Sequence, residues 1–270
     1  LALVLAALVF FVAGAPVWSL PLLFLGFDLG LLLLSVLFLW ICCATVDMSK
    51  PQEEDSRFFR RLMHPYIEAL ISIVGIRLHT QGLEKVPTDG RFLLVCHLFI
   101  ADPGVLLHCF KNSQLAFVTK QENDSVFLVG KIMHKILCQP IDRNNDRAAL
   151  KTILKCIQLL KEDKVSICVF PEGYTSKDGK LHHFRNGVFK IAQKANVPIV
   201  VCTLQNTRQI FKNMAKLKHT DVPVHLVEVI PAEELKGLTT VQIGERVYEA
   251  MISDLGEAFR YQEPAADAEP

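Results

Sequence analysis

His97 and Asp102 are the side chains in this sequence whose types and spacing most directly offer chemistry. A carboxylate that orients an imidazole makes a general base, able to take a proton from a hydroxyl. On a continuous helix a five-residue offset turns through about 500°, which leaves the two side chains about 140° apart. They can meet only if the backbone bends between them, and the local sequence supplies the bend. The apolar run Phe92-Leu93-Leu94-Val95-Cys96 reads as a short buried strand. Asp102-Pro103 reads as an N-cap followed by proline at the first helical position. His97 is therefore expected at the end of a strand and Asp102 at the start of a helix. Taken alone, the segment also fits Asp102 as a plain helix cap and His97 as a core histidine.

Four further segments carry polar groups where a ligand would meet them. Phe170-Pro171-Glu172-Gly173 follows the apolar run 165–170, which places Glu172 at a strand's carboxyl end, the edge where α/β folds bind ligands. Gly173 would let a ligand approach the backbone closely. Ile141-Asp142-Arg143 precedes a helix, and Arg143 near a helix N-terminus suits a phosphate. Lys120 ends the run 115–119 and is a similar candidate. Phe184-Arg185-Asn186-Gly187 opens another helix, and Val197-Pro198-Ile199-Val200 begins a strand. Each of these also has a plain reading, as a solvated Glu, Arg or Lys at a loop.

The elements that must position these residues alternate from residue 76 onward. Strands are expected at 92–96, 115–119, 165–170, 197–204 and 224–229. Helices are expected at 103–110, 147–162 (capped by Asp146), 187–195 and 239–259. Leu150, Ile153, Leu154, Ile157 and Leu160 fall on one face of the second helix. This alternation implies an α/β fold with a mixed, largely parallel central sheet flanked by helices. The tail 261–270 is polar.

Composition separates the chain into regions. Of 270 residues 51% are hydrophobic, and mean hydropathy is +0.30. The excess is concentrated in residues 1–46, where Asp28 is the only charged residue. That length suffices for two membrane helices. Pro16 and Pro21 bracket the turn, so a helical hairpin of about 1–16 and 22–46 is expected. A signal peptide would be shorter and end at a small-residue cleavage site. A hairpin that dips into one leaflet fits the sequence as well as one that crosses. The chain opens on Leu1 rather than methionine, and residues are expected upstream. After Val46, Lys50, Arg57, Arg60 and Arg61 argue for a cytoplasmic exit. Residues 47–75 read as a juxtamembrane segment, amphipathic over 56–75, which either lies at headgroup level or packs on the domain. Residues 76–260 form the soluble domain. It is large enough for a real core.

Net charge is +1 with no long basic run, so nucleic acid is not an expected partner. Eight cysteines contain no C-x-x-C pair and sit mostly in apolar runs, a reduced intracellular pattern. His182-His183 lacks Cys, Asp or Glu at ligand spacing, so no metal is expected. A G-x-S-x-G elbow, a G-x-G-x-x-G turn and a P-loop are all missing, which disfavours serine hydrolases and nucleotide-binding enzymes.

In order, the chain shows H-x4-D (His97, Asp102), I-D-R (141–143), F-P-E-G (170–173), F-R-N-G (184–187) and V-P-I-V (197–200). This series resembles the glycerolipid acyltransferase family, whose bacterial type is 1-acyl-glycerol-3-phosphate acyltransferase, over about residues 76–232. The resemblance implies that His97 deprotonates the free hydroxyl of a lysophospholipid and that Asp102 orients His97. The hydroxyl would attack the thioester of acyl-CoA or acyl carrier protein, with no cofactor or metal. Lys120, Arg143, Glu172 and Gly173 would bind the glycerol phosphate, and an apolar groove would hold the acyl chain. The implied product is phosphatidic acid. The implied place is the inner or plasma membrane, with the domain on the cytoplasmic face. Three departures stand out. Cys96 replaces the usual Asn or Ser, and Phe99 replaces a small polar residue. F-P-E-G is followed by Tyr174-Thr175-Ser176 rather than Thr-Arg-Ser, so a phosphate-binding Arg is missing and Lys177 or Arg185 would have to stand in. That change keeps open another lysolipid as acceptor, or a transacylase that does not use CoA. A catalytically inactive lipid-binding protein is the alternative from another class.

Overall fold

A computed structural model describes residues 1–262 apart from 15, 98, 100 and 177. Lys177 and most of the polar tail therefore lie outside the described residues. The chain forms two compact units, Leu1–Lys50 and Pro51–Pro270.

In the first unit, α1 (Ala2–Ala13) and α2 (Leu20–Ala44) pack on each other through a 3-10 turn at Val17–Ser19. Ser19 Oγ donates to the Pro16 carbonyl at 2.7 Å and closes the turn. Pro21 lies in the first turn of α2, where a missing N–H costs no helical bond. Large apolar side chains such as Leu3, Phe11, Leu25 and Phe38 face outward. Val17–Ala44 is long and apolar enough to cross a membrane. The expected hairpin is what these helices form.

The second unit opens with α3 (Arg57–Ile73), whose N-cap Ser56 accepts from the Phe59 N–H. This helix packs on the domain through Phe59, Arg60 and Met63. Arg60 is buried, and its guanidinium is held by Asp55 at 2.6 Å and by the Leu115 carbonyl at 3.0 Å. A buried charge needs such partners, so Arg60 serves the domain rather than a lipid headgroup.

The strands are β1 (Ile76–Gln81), β2 (Leu93–Val95), β3 (Leu115–Lys120), β4 (Gln139–Ile141), β5 (Ser166–Val169), β6 (Ile199–Leu204) and β7 (Thr220–Ile230). They form one sheet in the order β1-β7-β6-β2-β5-β3-β4. The five strands from β6 to β4 run parallel, β7 is antiparallel to β6, and β1 is parallel to β7. Helices α4 (Asp102–Cys109), α5 (Phe127–Lys135), α6 (Asp146–Lys161), α7 (Lys190–Ala195), α8 (Ile210–Met214) and α9 (Thr240–Leu255) flank it. The fold is thus the mixed, mostly parallel α/β sheet expected. All of β2, β5 and β6 is buried, which is why these strands read as unbroken apolar runs.

Two strands escaped the sequence reading because both are edges. β1 is mostly exposed and polar, and β4 contains Pro140, which a central strand could not accommodate. Two caps also shift by one residue. Asn145, not Asp146, caps α6 by accepting the Ala148 N–H at 3.1 Å. Asp102 does not cap α4 but is its first residue, because Ala101 already has helical φ and ψ. Its carboxylate turns back to accept the Phe99 N–H at 2.6 Å.

Candidate active site

The carboxyl ends of the five parallel strands bring the sequence-selected residues to one edge. β2 leads to His97, β5 to Glu172, β3 to Lys120 and β4 to Arg143. β2 lies between β5 and β6, so His97 is flanked by Glu172 on one side and the 204–209 turn on the other.

His97 Nδ1 stands 3.8 Å from Asp102 Oδ2, close but beyond a hydrogen bond. The pair meets where β2 ends and α4 begins. His97 Nε2 lies 2.5 Å from the Leu204 carbonyl and 3.1 Å from the Leu204 N–H. Nε2 is therefore engaged by backbone in this structure. The His97 side chain is 19% exposed, and Asp102 is fully buried. Burial lowers the imidazole from its ordinary pKa, opposed by the Leu204 contact. It raises the Asp102 carboxyl to about 7. Hydrogen bonds from Phe99 and Thr207 pull that value back, and the nearby Glu172 pushes it further up. The surroundings explain the desolvation: the neighbouring Cys96 and Cys168 are buried, and their thiols cannot solvate a carboxylate. Cys96, where Asn or Ser was the expected type, thus joins an apolar floor.

Two cavities open on this edge. The first, about 160 Å³, is lined by His97, Phe99, Glu172, Thr207, Arg208 and Phe259 among others. The second, about 210 Å³, has apolar walls from Val118, Ile153 and Phe170, with Arg143, Gly173 and Arg185 beside them. The Phe170–Gly173 turn separates them, with Glu172 on the His97 side and Gly173 on the arginine side. Gly173 has φ +79°, and a Cβ there would stand 3.1 Å from Arg185 Nε. Glycine is needed both for the backbone conformation and for the guanidinium that lies over it.

The other predicted residues divide by partner. Arg185 Nη1 donates to the Arg143 carbonyl at 3.4 Å, and burial together with the Arg185 charge lowers the Arg143 pKa. Both arginines line the second cavity, and two positive charges there suit an anion. Lys120 pairs with Glu122 at 2.8 Å, and Glu122 also feels Arg143. Glu172 is buried and accepts the His182 N–H at 3.0 Å, so its carboxylate anchors the following loop. His182 is itself tied to Asp178 at 3.0 Å and stacked on Tyr261. Thr175, where the motif usually has Arg, is exposed.

Sequence reasoning missed the 204–209 turn, which supplies the Leu204 backbone, Thr207 and Arg208 to the His97 cavity. The rule that found Glu172 would have found it, since this turn follows a correctly placed strand. It also missed a brace beneath that turn. Asp254 of α9 accepts from Thr203 Oγ1 at 2.5 Å and contacts His225 Nδ1 at 2.8 Å, fixing the end of β6.

Comparison with known proteins bears on this edge. Residues 77–205 match the family model described as Acyltransferase. A chloroplast 1-acyl-sn-glycerol-3-phosphate acyltransferase of Brassica napus is 32% identical over 174 residues, 62% of this chain and 50% of that protein. A 1-acyl-sn-glycerol-3-phosphate acyltransferase of Limnanthes douglasii is 30% identical over 186 residues, 69% of this chain and 64% of that protein. The chain spans about half the length of the first relatives it matches. Among solved structures, the 1-acyl-sn-glycerophosphate (LPA) acyltransferase PlsC from Thermotoga maritima shares the fold. Its TM-score is 0.62 at 20% identity, over 84% of this chain and 89% of that one.

Proposed function

We propose that the acyltransferase-family domain carried by residues 77–205 moves an acyl chain from a thioester to the free sn-2 hydroxyl of lysophosphatidic acid, giving phosphatidic acid. The observation that carries this reading is the placement of His97 beside buried Asp102, with the Arg143–Arg185 pair across the Phe170–Gly173 turn. The stretch that matches the acyltransferase family model, residues 77–205, contains both.

In this mechanism the acceptor phosphate sits against Arg143 and Arg185, with Lys120 a further cation at the end of β3. The glycerol backbone reaches over Gly173 toward His97. Arg185, lying over Gly173, takes the place of the arginine that the motif has where this chain has Thr175. Burial lowers the His97 pKa, which favours the neutral form a base needs. The acceptor hydroxyl displaces Leu204 from Nε2, and Nδ1 closes the 3.8 Å gap to Asp102. Such contacts commonly tighten only when substrate binds. The hydroxyl oxygen attacks the thioester carbonyl while its proton passes to Nε2, and ionised Asp102 stabilises the imidazolium. The tetrahedral intermediate then expels thiolate, which recovers the proton from His97. The donor is acyl-CoA or acyl carrier protein, and the step needs no metal or cofactor. The apolar helices tether the domain to the membrane that holds its lipid substrate. Exposed Arg57 and Arg61 after the span favour the cytoplasmic face.

Exposed Thr175 favours one second reading, in which the acceptor is a different lysolipid and the dyad is unchanged. The test is acyl transfer from acyl-CoA, and separately from acyl carrier protein, to a lysolipid panel, with His97→Ala beside the unmodified chain. Label should enter phosphatidic acid, and His97→Ala should lose about 10² to 10⁴ in rate. Label in another lipid would reassign the acceptor. Near-normal turnover by the folded variant would remove His97 as the base.

A further inference from the structure

Beyond the cavities, the segment that follows Thr207 combines basic residues with exposed apolar ones. Residues 206–219 contain Arg208, Lys212, Lys216 and Lys218 and no acidic residue. Ile210 of α8 is buried and fixes the helix to the domain. The opposite face is apolar and open. Phe211 and Met214, one helical turn apart, are 48% and 39% exposed, and Leu217 is 98% exposed. Leu217 also has φ +53°, a left-handed conformation that leucine seldom adopts. The short turn after α8 holds it there, with the Leu217 N–H bonded to the Met214 carbonyl and the Lys218 N–H to the Asn213 carbonyl. The lysines at 212, 216 and 218 are exposed around it.

We infer that residues 208–218 form a basic and apolar lip that inserts into an anionic bilayer surface beside the His97 cavity. Three observations select lipid as the occupant. The lysines match anionic headgroups in sign, and such charges act within a Debye length of the surface. A leucine tip ringed by lysines suits a fluid interface, where the apolar group enters the acyl boundary and the ammonium groups stay at headgroup level. The same chain carries an apolar helix of membrane-spanning length, so a bilayer is within reach of the lip at high effective concentration. The consequence is local. Arg208 and Gln209 line the His97 cavity, so an inserted lip would set the mouth of that cavity at the lipid surface.

Because the apolar helices anchor the whole chain in any vesicle, the test must read the lip itself. The sequence contains two tryptophans, Trp18 and Trp40, and Trp18→Phe with Trp40→Phe gives a silent background. In that full chain, Leu217→Trp is placed in vesicles of phosphatidylcholine with phosphatidylglycerol. We expect a blue-shifted emission that lipids brominated on the acyl chain quench. Both signals should weaken in phosphatidylcholine alone. Each lysine near an anionic surface contributes about fivefold, so Lys212→Glu, Lys216→Glu and Lys218→Glu together should weaken insertion about 100-fold or more. Hydrogen exchange of the unmodified chain gives an independent reading, with amides 211–218 protected in the anionic vesicles only. Water-like, unquenched emission and equal exchange in both vesicles would overturn the inference. A shift that appears only on adding acidic acyl carrier protein would also overturn it, in favour of a protein partner. Neither readout depends on turnover, so the lip stands or falls apart from the proposed reaction.

Discussion

Asp102→Asn should stabilise the folded domain above neutral pH while it abolishes turnover. Burial lifts the Asp102 carboxyl from the ordinary 3.8 to about 7. Between those limits the folded state keeps a proton that the unfolded chain releases. The contribution of Asp102 to stability is therefore greatest in acid, falls as pH rises through that window, and is flat above it. A displacement of about three pH units corresponds to about 4 kcal/mol at 1.36 kcal/mol per unit. Asparagine carries no such term. Its carbonyl oxygen can still accept the Phe99 N–H. Its amide group replaces an acceptor oxygen, which offsets about 1–3 kcal/mol. The net gain is roughly 1–3 kcal/mol above pH 7, turning to a loss near pH 4. For a unit of this size each kcal/mol moves Tm by about 2–4 °C. The assay is thermal unfolding of both proteins in detergent across about pH 4 to 8, the window set by the shifted carboxyl. A Tm difference that stays constant over that range would refute the claim that Asp102 is a desolvated acid. Turnover is lost because a carboxamide cannot stabilise the imidazolium.

Three further outcomes follow from the same geometry. Arg143→Ala should raise KM for a phosphate-bearing acceptor about 10- to 100-fold, the worth of a charge-assisted hydrogen bond, with little change in KM for acyl-CoA; equal effects on both would argue against the phosphate role. If His97 is the base proposed above, the profile of kcat/KM against pH should rise to a plateau above about 7, since the dyad would need His97 neutral and Asp102 ionised; a rate that falls across that range would contradict the assignment. Gly173→Ala forces a Cβ into a left-handed conformation and against Arg185. It should cost about 1–2 kcal/mol of stability and raise acceptor KM, read by thermal unfolding and initial rates; an unaltered acceptor KM would remove Gly173 from the acceptor path.

Elements with the strongest local patterns were legible from amino-acid order. Buried strands announce themselves as short apolar runs because both faces of a parallel sheet are covered, so β2, β3, β5 and β6 were legible. So was the apolar hairpin, where proline positions mark the turn. His97 and Glu172 could be chosen because each follows such a strand, and parallel strands deliver their following residues to one edge; Arg143 could be chosen because it precedes a helix start. Edge strands were not legible. β1 and β4 lack a covered face and carry polar residues or proline. Helix starts were legible only to within a residue, since Ala101 and Asn145 compete with the neighbouring Asp102 and Asp146 for the cap position.

Tertiary structure alone decided who meets whom. Strand order sets β2 between β5 and β6, so Leu204, far away in sequence, occupies His97 Nε2. The same order surrounds Asp102 with buried thiols and raises its pKa. It turned Glu172 into a loop anchor and Arg60 into an internal brace. Local pattern reports which face of an element is dry. Which charge finds a partner, and which is left to a substrate, depends on contacts between strands far apart in the chain, and those exist only once the sheet has closed.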